Sequence, residues 1–432
     1  MAHDTDSPGS RFGPRVWLAP SIVVTIVMAV LAAMYLGGMV SSSDDIDDFP
    51  IAIVNADAGV TNPAGQHVNV GGQIVDSLHK NVDGDVFDLR TLSLAEAKAE
   101  MGQARIYGAI VLPSDLSRKL AALSTEAMSD GAVARPEITV YTNQLASASI
   151  VTSFSDQALA RANQTVGEQL ITDATSPQAT DTSRDRSLSG AAHLILSDPM
   201  NIQVTPFQSV PDGTGNGMSA MYYALLLVLA GFTGSLIASN FVDARLGFIP
   251  TEMGPIYRLE DNSGHSRLAT LTMKWALMAG LAVVVSTVYL GVAAWSGMPL
   301  EHPWTLWMLS VLAITAVAVV VQSILALLGG LGMVVNLFLF IVLSVPSSGG
   351  TTPLEATPSF LRFLASFEPM HQIYLGTRSV LYFGATWDSG LGRAVIASVA
   401  ALGLGIIVGC IGTRSYDRKG LLRRHTPATV QA

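Results

Sequence analysis

The chain has 432 residues, half of them hydrophobic and only 13% charged, with a mean hydropathy of +0.43, which places it among membrane proteins. Its net charge of −9 is uneven: residues 41–217 carry 22 acidic and 10 basic side chains, a net −12, and the rest sums to +3, a balance that gives nucleic acid no basic surface. The one cysteine, Cys410, leaves no disulfide framework, zinc site or thiol chemistry within one chain.

Residues 1–15 read as a short basic N-terminus, with Arg11 and Arg15 ahead of an apolar run at 16–40. That run is too long for a signal-peptide core of roughly 7–15 residues, and is expected to be an uncleaved first span. A polar region, 41–217, follows. Its four aspartates in Ser41–Asp48 lack calcium-loop spacing and read as a solvated linker. Strands are expected at 50–55, 85–90, 106–112, 137–142 and 201–207, with helices at 72–79, 94–103 and 114–123 between them. Asn55 and Asp57 suit Asx-type turns after the first strand. A longer helix at 144–174 carries Val151, Phe154, Ala158, Ala162, Val166 and Leu170 on one stripe, for packing on the sheet or for a stalk or dimer seam. Thr175–Gly190 reads as a polar loop, and Gly213–Gly217 as a glycine-rich lead into the next span.

Five further spans are expected in 218–413, at 218–240, 268–295, 305–328, 330–345 and 391–413. The apolar run 305–345 is too long for one crossing at about 1.5 Å per residue, and the Gly329-Gly330-Leu331-Gly332 sequence marks the turn that splits it. Trp295, Trp304 and Trp307 fit an interfacial belt. Segment 346–391 opens with Pro346, Ser347, Ser348, Gly349 and Gly350 and holds two short amphipathic runs. It reads equally as a re-entrant element or as an external loop with an amphipathic helix.

The basic residues of 241–267 and of the tail 414–432 predict cytoplasmic termini and an extracytoplasmic 41–217 domain, with Arg362 and Arg378 in the outer segment counting against that orientation. The fold class expected is therefore an α-helical polytopic membrane protein of six spans, one plus five. An extracytoplasmic α/β (α+β) domain is inserted between spans 1 and 2. The expected location is the cell membrane, in contact with its lipids.

No GxxxxGK[ST], HExxH or GxSxG occurs, so no catalytic residue, metal ligand or cofactor is assigned and an enzyme is not expected. The expected spans hold no ionisable group near mid-membrane. Lys274 and Arg393 lie toward span ends, where snorkelling explains them. Gln322 and Asn336 are the strongest interior polar groups, suited to helix–helix hydrogen bonds or to a substrate path.

Several segments resemble known families. IAIVNADAGV, NVGGQIVDSL, YGAIVLPSDLS and YTNQ are similar to the outer domain of the YhgE/Pip (phage-infection-protein) family. LGFIPTEMGP, LGGLGM, VPSSGGTTPLEATPSFLRFLASFEP and GTRSVLYFGA resemble an uncharacterised family that includes fungal nitrosoguanidine-resistance proteins. Both belong with type-2 ABC transporter permeases. The resemblance implies a permease that forms a homodimer or heterodimer and works with a separate ABC ATPase. It implies a coupling helix within 241–267, with Phe248, Ile249, Glu252, Tyr257 and Arg258 as docking candidates, and an outer gate in 346–391, with Pro346, Ser347, Ser348, Gly349 and Gly350. Export of a lipid, an envelope precursor or a hydrophobic drug is the expected function. The alternative is a non-transporting scaffold or receptor component of an envelope or secretion complex. The compact outer domain departs from the far longer ones of phage-infection relatives.

Overall fold

The computed structural model describes residues 22, 25, 26, 28–30, 46–61, 65–126, 134–145, 148–175, 190–208, 212–215 and 217–421. Most of the first expected span, the N-terminus before it, most of the Ser41–Asp48 linker, most of the Thr175–Gly190 loop and the end of the tail lie outside these residues. The chain divides into two compact units, Asp45–Gly217 and Met1–Asp44 with Met218–Ala432.

The first unit is α/β. Its elements are β1 (Phe49–Asn55), β2 (Val60–Thr61), β3 (His67–Val68), α1 (Val70–Asn81), β4 (Phe87–Thr91), α2 (Leu94–Gly102), β5 (Gly108–Leu112), α3 (Leu116–Glu126), β6 (Glu137–Thr142), α4 (Ala148–Thr175), α5 (Gly190–Ser197) and β7 (Asn201–Pro206). Five strands form one sheet in the order β4-β1-β5-β6-β7. β1 is parallel to both β4 and β5, β5 is antiparallel to β6, and β6 is parallel to β7. The near-continuous apolar stretch Phe-Pro-Ile-Ala-Ile-Val suits a strand with helices over both faces, and its first six residues are buried. Alternation divides them: Phe49, Ile51 and Ile53 join the larger cluster with Ile110, Ile138 and Val140, whereas Ala52 and Val54 meet Ala97, Met101 and Ile106. The stripe on α4 enters the larger cluster through Val151, Phe154, Ala158 and Val166, so it packs within this unit and does not form a free seam.

Side-chain caps start α1 and α2. Asn69 Oδ1 accepts the Gly72 amide at 2.5 Å. Ser93 and Glu96 form a reciprocal capping box on α2. These bonds, the backbone amide of Ser93 first, hold the Glu96 carboxyl below its ordinary range. The box is therefore complete at neutral pH and is lost as pH falls through that lowered value.

One carboxylate ties three segments together. Asp57, in the turn after β1, is 8% exposed. Its Oδ1 accepts the amides of Ser117 at 3.0 Å and Gly59 at 3.3 Å. Its Oδ2 accepts the Gly71 amide at 3.0 Å and the Ser117 hydroxyl at 2.5 Å. The Asp57 amide donates to Asn55 Oδ1, the local Asx bond expected of the sequence. The ties to α1 and α3 are long-range. The approach needs Gly71, where a Cβ would lie 2.6 Å from Asn55 Oδ1.

The second unit is helical: α6 (Met218–Arg245), β8 (Thr251–Met253), β9 (Ile256–Arg258), α7 (Arg267–Trp295), α8 (Pro303–Leu328), α9 (Gly330–Leu337), α10 (Ser359–Ala365), α11 (Pro369–Tyr382) and α12 (Leu391–Arg418). Among the described residues, α6, α7, α8 and α12 are long and apolar enough to cross a membrane. Exposed apolar residues such as Leu281, Val284, Val288 and Ile407 find a solvent in lipid that water does not offer. The segment expected as a fifth span is shorter. α9 continues through a π-helical turn to Val342, giving the 13 residues Gly330–Val342. That is about 20 Å at 1.5 Å per residue, less than a 30 Å core. Trp295 and Trp304 are 88% and 73% exposed, and Trp307 donates to Thr287 Oγ1 at 3.0 Å.

α8 is the central helix, in contact with α6, α7, α9, α11 and α12. α6 and α8 run parallel, with Tyr223 bonded to Ser310 and, farther along, Ser235 to the Ala318 carbonyl. Between these contacts Gly231 lets the backbones close: a Cβ there would sit 2.6 Å from Val317 Cβ. Gly231→Val is expected to force this pair apart and cost about 1–3 kcal/mol, the usual penalty of overpacking. The check is the melting temperature of the detergent-purified chain.

Segment 346–391 is neither an extended loop nor uniformly amphipathic. Phe360 and Phe363 of α10 and Phe367 just after it are each more than half exposed, whereas α11 is buried over most of its length. Glu368 caps α11 by accepting the His371 amide at 2.9 Å and the Ser344 hydroxyl at 3.2 Å. Arg378 lies buried over the rings of Tyr374 and Phe383. It is therefore not a surface loop charge.

Candidate functional site

A recess of the helical unit lies where α6, α7, α8 and α9 converge near the connection between α6 and α7. Its volume is about 600 Å3, within the range of small-molecule sites. Leu236, Ser239, Asn240 and Asp243 of α6 form one wall, with Leu325 and Ala326 of α8 and Met333 of α9 opposite. Lys274 of α7 completes it.

The tight α8–α9 turn makes this recess possible. Gly329 has φ 57° and ψ −128°, a conformation that favours glycine. The next glycine that matters, Gly332, packs where a Cβ would lie 2.7 Å from the Ile324 carbonyl, so α9 folds back along α8. Asn336 thereby reaches the Val321 carbonyl with its Nδ2 at 3.1 Å.

Charge in the recess is paired. Lys274 Nζ lies 2.9 Å from Asp243 Oδ1, with side chains 9% and 15% exposed. The snorkelling expected of Lys274 is thus corrected: two helical turns into α7, the ammonium is held inward by a carboxylate near the end of α6. Arg393, in contrast, is exposed at the start of α12.

Neutral polar groups are less well satisfied. Ser239 Oγ, buried behind the recess, has no hydrogen-bond partner among the described residues. Neither polar atom of the Gln322 side chain has one, nor does Asn336 Oδ1. These side chains are 8%, 1% and 0% exposed. Ser235 faces Ala318 across the parallel α6–α8 pair, so Ser239 and Gln322, each one turn farther on, share the next level. A buried polar group without a partner costs about 1–3 kcal/mol.

The other residues singled out from sequence fall into separate places. Phe248 and Ile249 line the same recess. Glu252, Tyr257 and Arg258 belong to the β8–β9 hairpin, where Glu252 pairs with Tyr257 in register and Arg258 meets Glu260 at 3.0 Å. The implied coupling helix is therefore corrected to a hairpin. Gly247, Pro250, Gly254 and Pro255 break any helical run, and Gly254, at φ 57°, supplies the positive φ of a two-residue turn. Pro346, Ser347, Ser348, Gly349 and Gly350 form a packed turn. Ser347 and Ser348 are fully buried, the Ser348 carbonyl meets His371 Nδ1 at 2.8 Å, and Gly350 closes on Met221.

Sequence reasoning passed over Asp243 and Ser239. Asp243 was visible as the one acid near the end of α6, opposite the one lysine of α7. A second groove, of about 650 Å3, lies in the α/β unit between α1 and α4. Phe87 and Phe154, with centroids 4.2 Å apart, line it, and no unpartnered buried polar side chain does. No metal-holding group of His, Cys, Asp or Glu occurs among the described residues.

The sequence model of a family described as "Protein of unknown function (DUF3533)" matches residues 21–400. No curated protein matches the chain. Among solved structures, a domain ascribed to an ABC type-2 transporter from Thermotoga maritima MSB8 is similar at 16% identity and a TM-score of 0.23, covering 40% of this chain and 98% of that one.

Proposed function

The chain belongs to the DUF3533 family, and we propose that it is the membrane-embedded permease subunit of an ABC-type exporter for an amphiphilic substrate, driven by a separate ATPase. The observation that carries this reading is the β8–β9 hairpin between two membrane-length helices. Met253, Ile256 and Tyr257 are 60%, 62% and 68% exposed. A two-stranded ribbon that small buries little of its own apolar surface, and exposed aromatic and aliphatic residues beside charges are what a docking surface offers. The basic residues Arg245, Arg258 and Arg267 around it support a cytoplasmic side for it, where an ATPase works. The sequence resemblance to type-2 permeases supports the same assignment. The outer segment with buried α11 would then close the far end, and the acidic 45–217 unit would stand outside.

The test is a gentle-detergent purification of the tagged full chain, with mass spectrometry of what it retains. A stoichiometric ABC ATPase is expected. Tyr257→Ala is expected to weaken its recovery by about 2 kcal/mol, roughly thirtyfold, as for an interfacial aromatic anchor. Envelope proteins without an ATPase, or recovery unaffected by Tyr257→Ala together with Glu252→Ala, would overturn the reading in favour of a scaffold.

A further inference from the structure

We infer that Arg378 of α11, with Arg393 of α12 beside it, holds the phosphate of a membrane lipid at the contact between these two helices. This goes beyond the permease reading and does not depend on it, because the site binds lipid whether the chain transports or acts as a scaffold.

Arg378 is a buried cation without a counter-charge. It is 7% exposed, and its guanidinium lies 5.4 Å and 5.7 Å from the ring centroids of Tyr374 and Phe383. Those ring faces attract a cation but are poor acceptors for its N–H groups, and Nε has no partner among the described residues. Arginine carries five N–H donors and cannot shed its charge to escape burial. The nearest acids along the chain, Glu368 and Asp388, stand ten residues away on either side. Among the described residues neither forms an ion pair with it. Glu368 spends its oxygens on the His371 amide and the Ser344 hydroxyl. Stacking covers the faces of a guanidinium and leaves its nitrogen edge for a ligand. What that edge lacks is an anion with paired acceptor oxygens, which a phosphate supplies.

His371 reports the same excess of positive charge. Its Nδ1 meets the Ser348 carbonyl at 2.8 Å. Burial pushes the imidazole down to about 4, the Ser348 bond opposes this in part, and the charges of Arg378 and Arg393 add to the depression. Two arginines from adjoining helices thus act on one ring. Gly376 packs on Ala394, so α11 and α12 close on each other within two residues of both arginines. Arg393 is exposed at this end of α12. On the turns after it, Ile396 and Val399 are 61% and 53% exposed. Residues three apart share a helix face, so acyl chains attached to a phosphate at Arg393 would lie along side chains of their own polarity. That apolar continuation favours a lipid phosphate over a free one.

Native mass spectrometry of the full chain, loaded separately with dioleoylphosphatidylglycerol and dioleoylglycerol, tests this, since the two share acyl chains and differ in the phosphate. Phosphatidylglycerol is expected to be retained about tenfold better or more. Arg378→Gln is expected to lower its retention about tenfold and Arg393→Gln about threefold. Arg414→Gln, at the other end of α12, is expected to leave it unchanged. Arg378→Lys keeps the charge but not the fork, so it reports even if Arg378→Gln fails to fold, with an expected loss of about threefold. Equal retention of the two lipids by the unaltered chain overturns the site. So does unchanged retention in the Arg378 variants, or an equal loss in Arg414→Gln. Melting of the detergent-purified chain with inorganic phosphate separates the sources of the anion. Little protection is expected, and protection equal to that by phosphatidylglycerol overturns the lipid in favour of a soluble anion.

Discussion

Replacing Asp57 with alanine is expected to open the α/β unit. The carboxylate accepts four hydrogen bonds, two of them from the backbone at the starts of α1 and α3. Hydrogen bonds to a charged group contribute about 1.5–3 kcal/mol each, and their loss strands donors in the interior. Several such losses at one site amount to about 3–5 kcal/mol, a large part of the stability of a domain this size. Asp57→Asn is expected to rescue little, because an amide nitrogen would face the Gly71 amide or the Ser117 donors. Hydrogen exchange of the intact chain reads the result. Amides of β1, α1 and α3 should lose protection by two orders of magnitude or more, with α6 to α12 unchanged. Unaltered protection in α1 and α3 would show that the turn holds without the carboxylate.

Lys274→Met is expected to destabilise the helical unit by about 3–5 kcal/mol, because Asp243 would lose the cation that compensates it in a largely buried setting. The cause is the stranded charge rather than the lost attraction, so adding Asp243→Asn should restore most of the melting temperature. A double-mutant cycle on detergent-purified protein separates the two explanations. If the double variant melts as low as Lys274→Met alone, the ion pair is not what the lysine contributes, and its packing against α6 is.

Hydrophobic pattern made much of this architecture legible. The five sheet strands and α1 to α4 occur where alternation and helical spacing put them, because each buries a face whose period the sequence displays. The four long apolar helices were equally plain, and Gly329 and Gly330 marked the break after α8. What pattern could not supply was pairing across the chain. Asp57 looked like a local turn residue, since nothing in Asn-Ala-Asp-Ala-Gly says that Ser117, sixty residues on, will donate to it twice. Lys274 looked like a snorkelling end residue for the same reason. Segment 346–391 resisted for another. Its second amphipathic run, read as half-exposed, lies in α11, which neighbouring helices cover on every side, so local periodicity misreported its burial. Gln322 and Asn336 stood out as interior polar groups, but only the fold of α9 along α8 shows that Asn336 reaches the Val321 carbonyl.

The glycine contacts along α8 carry a mechanical consequence. Gly231 of α6 faces Val317, Gly405 of α12 faces Val319 and Val320, and Gly409 faces Ser323. Where one partner has no side chain, the other's valine seats in the notch, and the backbones come close enough for Ser235 Oγ to reach the Ala318 carbonyl at 3.4 Å and Ser323 Oγ the Gly405 carbonyl at 2.8 Å. Helices on two sides of α8 are thus keyed to it at fixed levels, and a side chain added at any of these glycines would act on the whole seam.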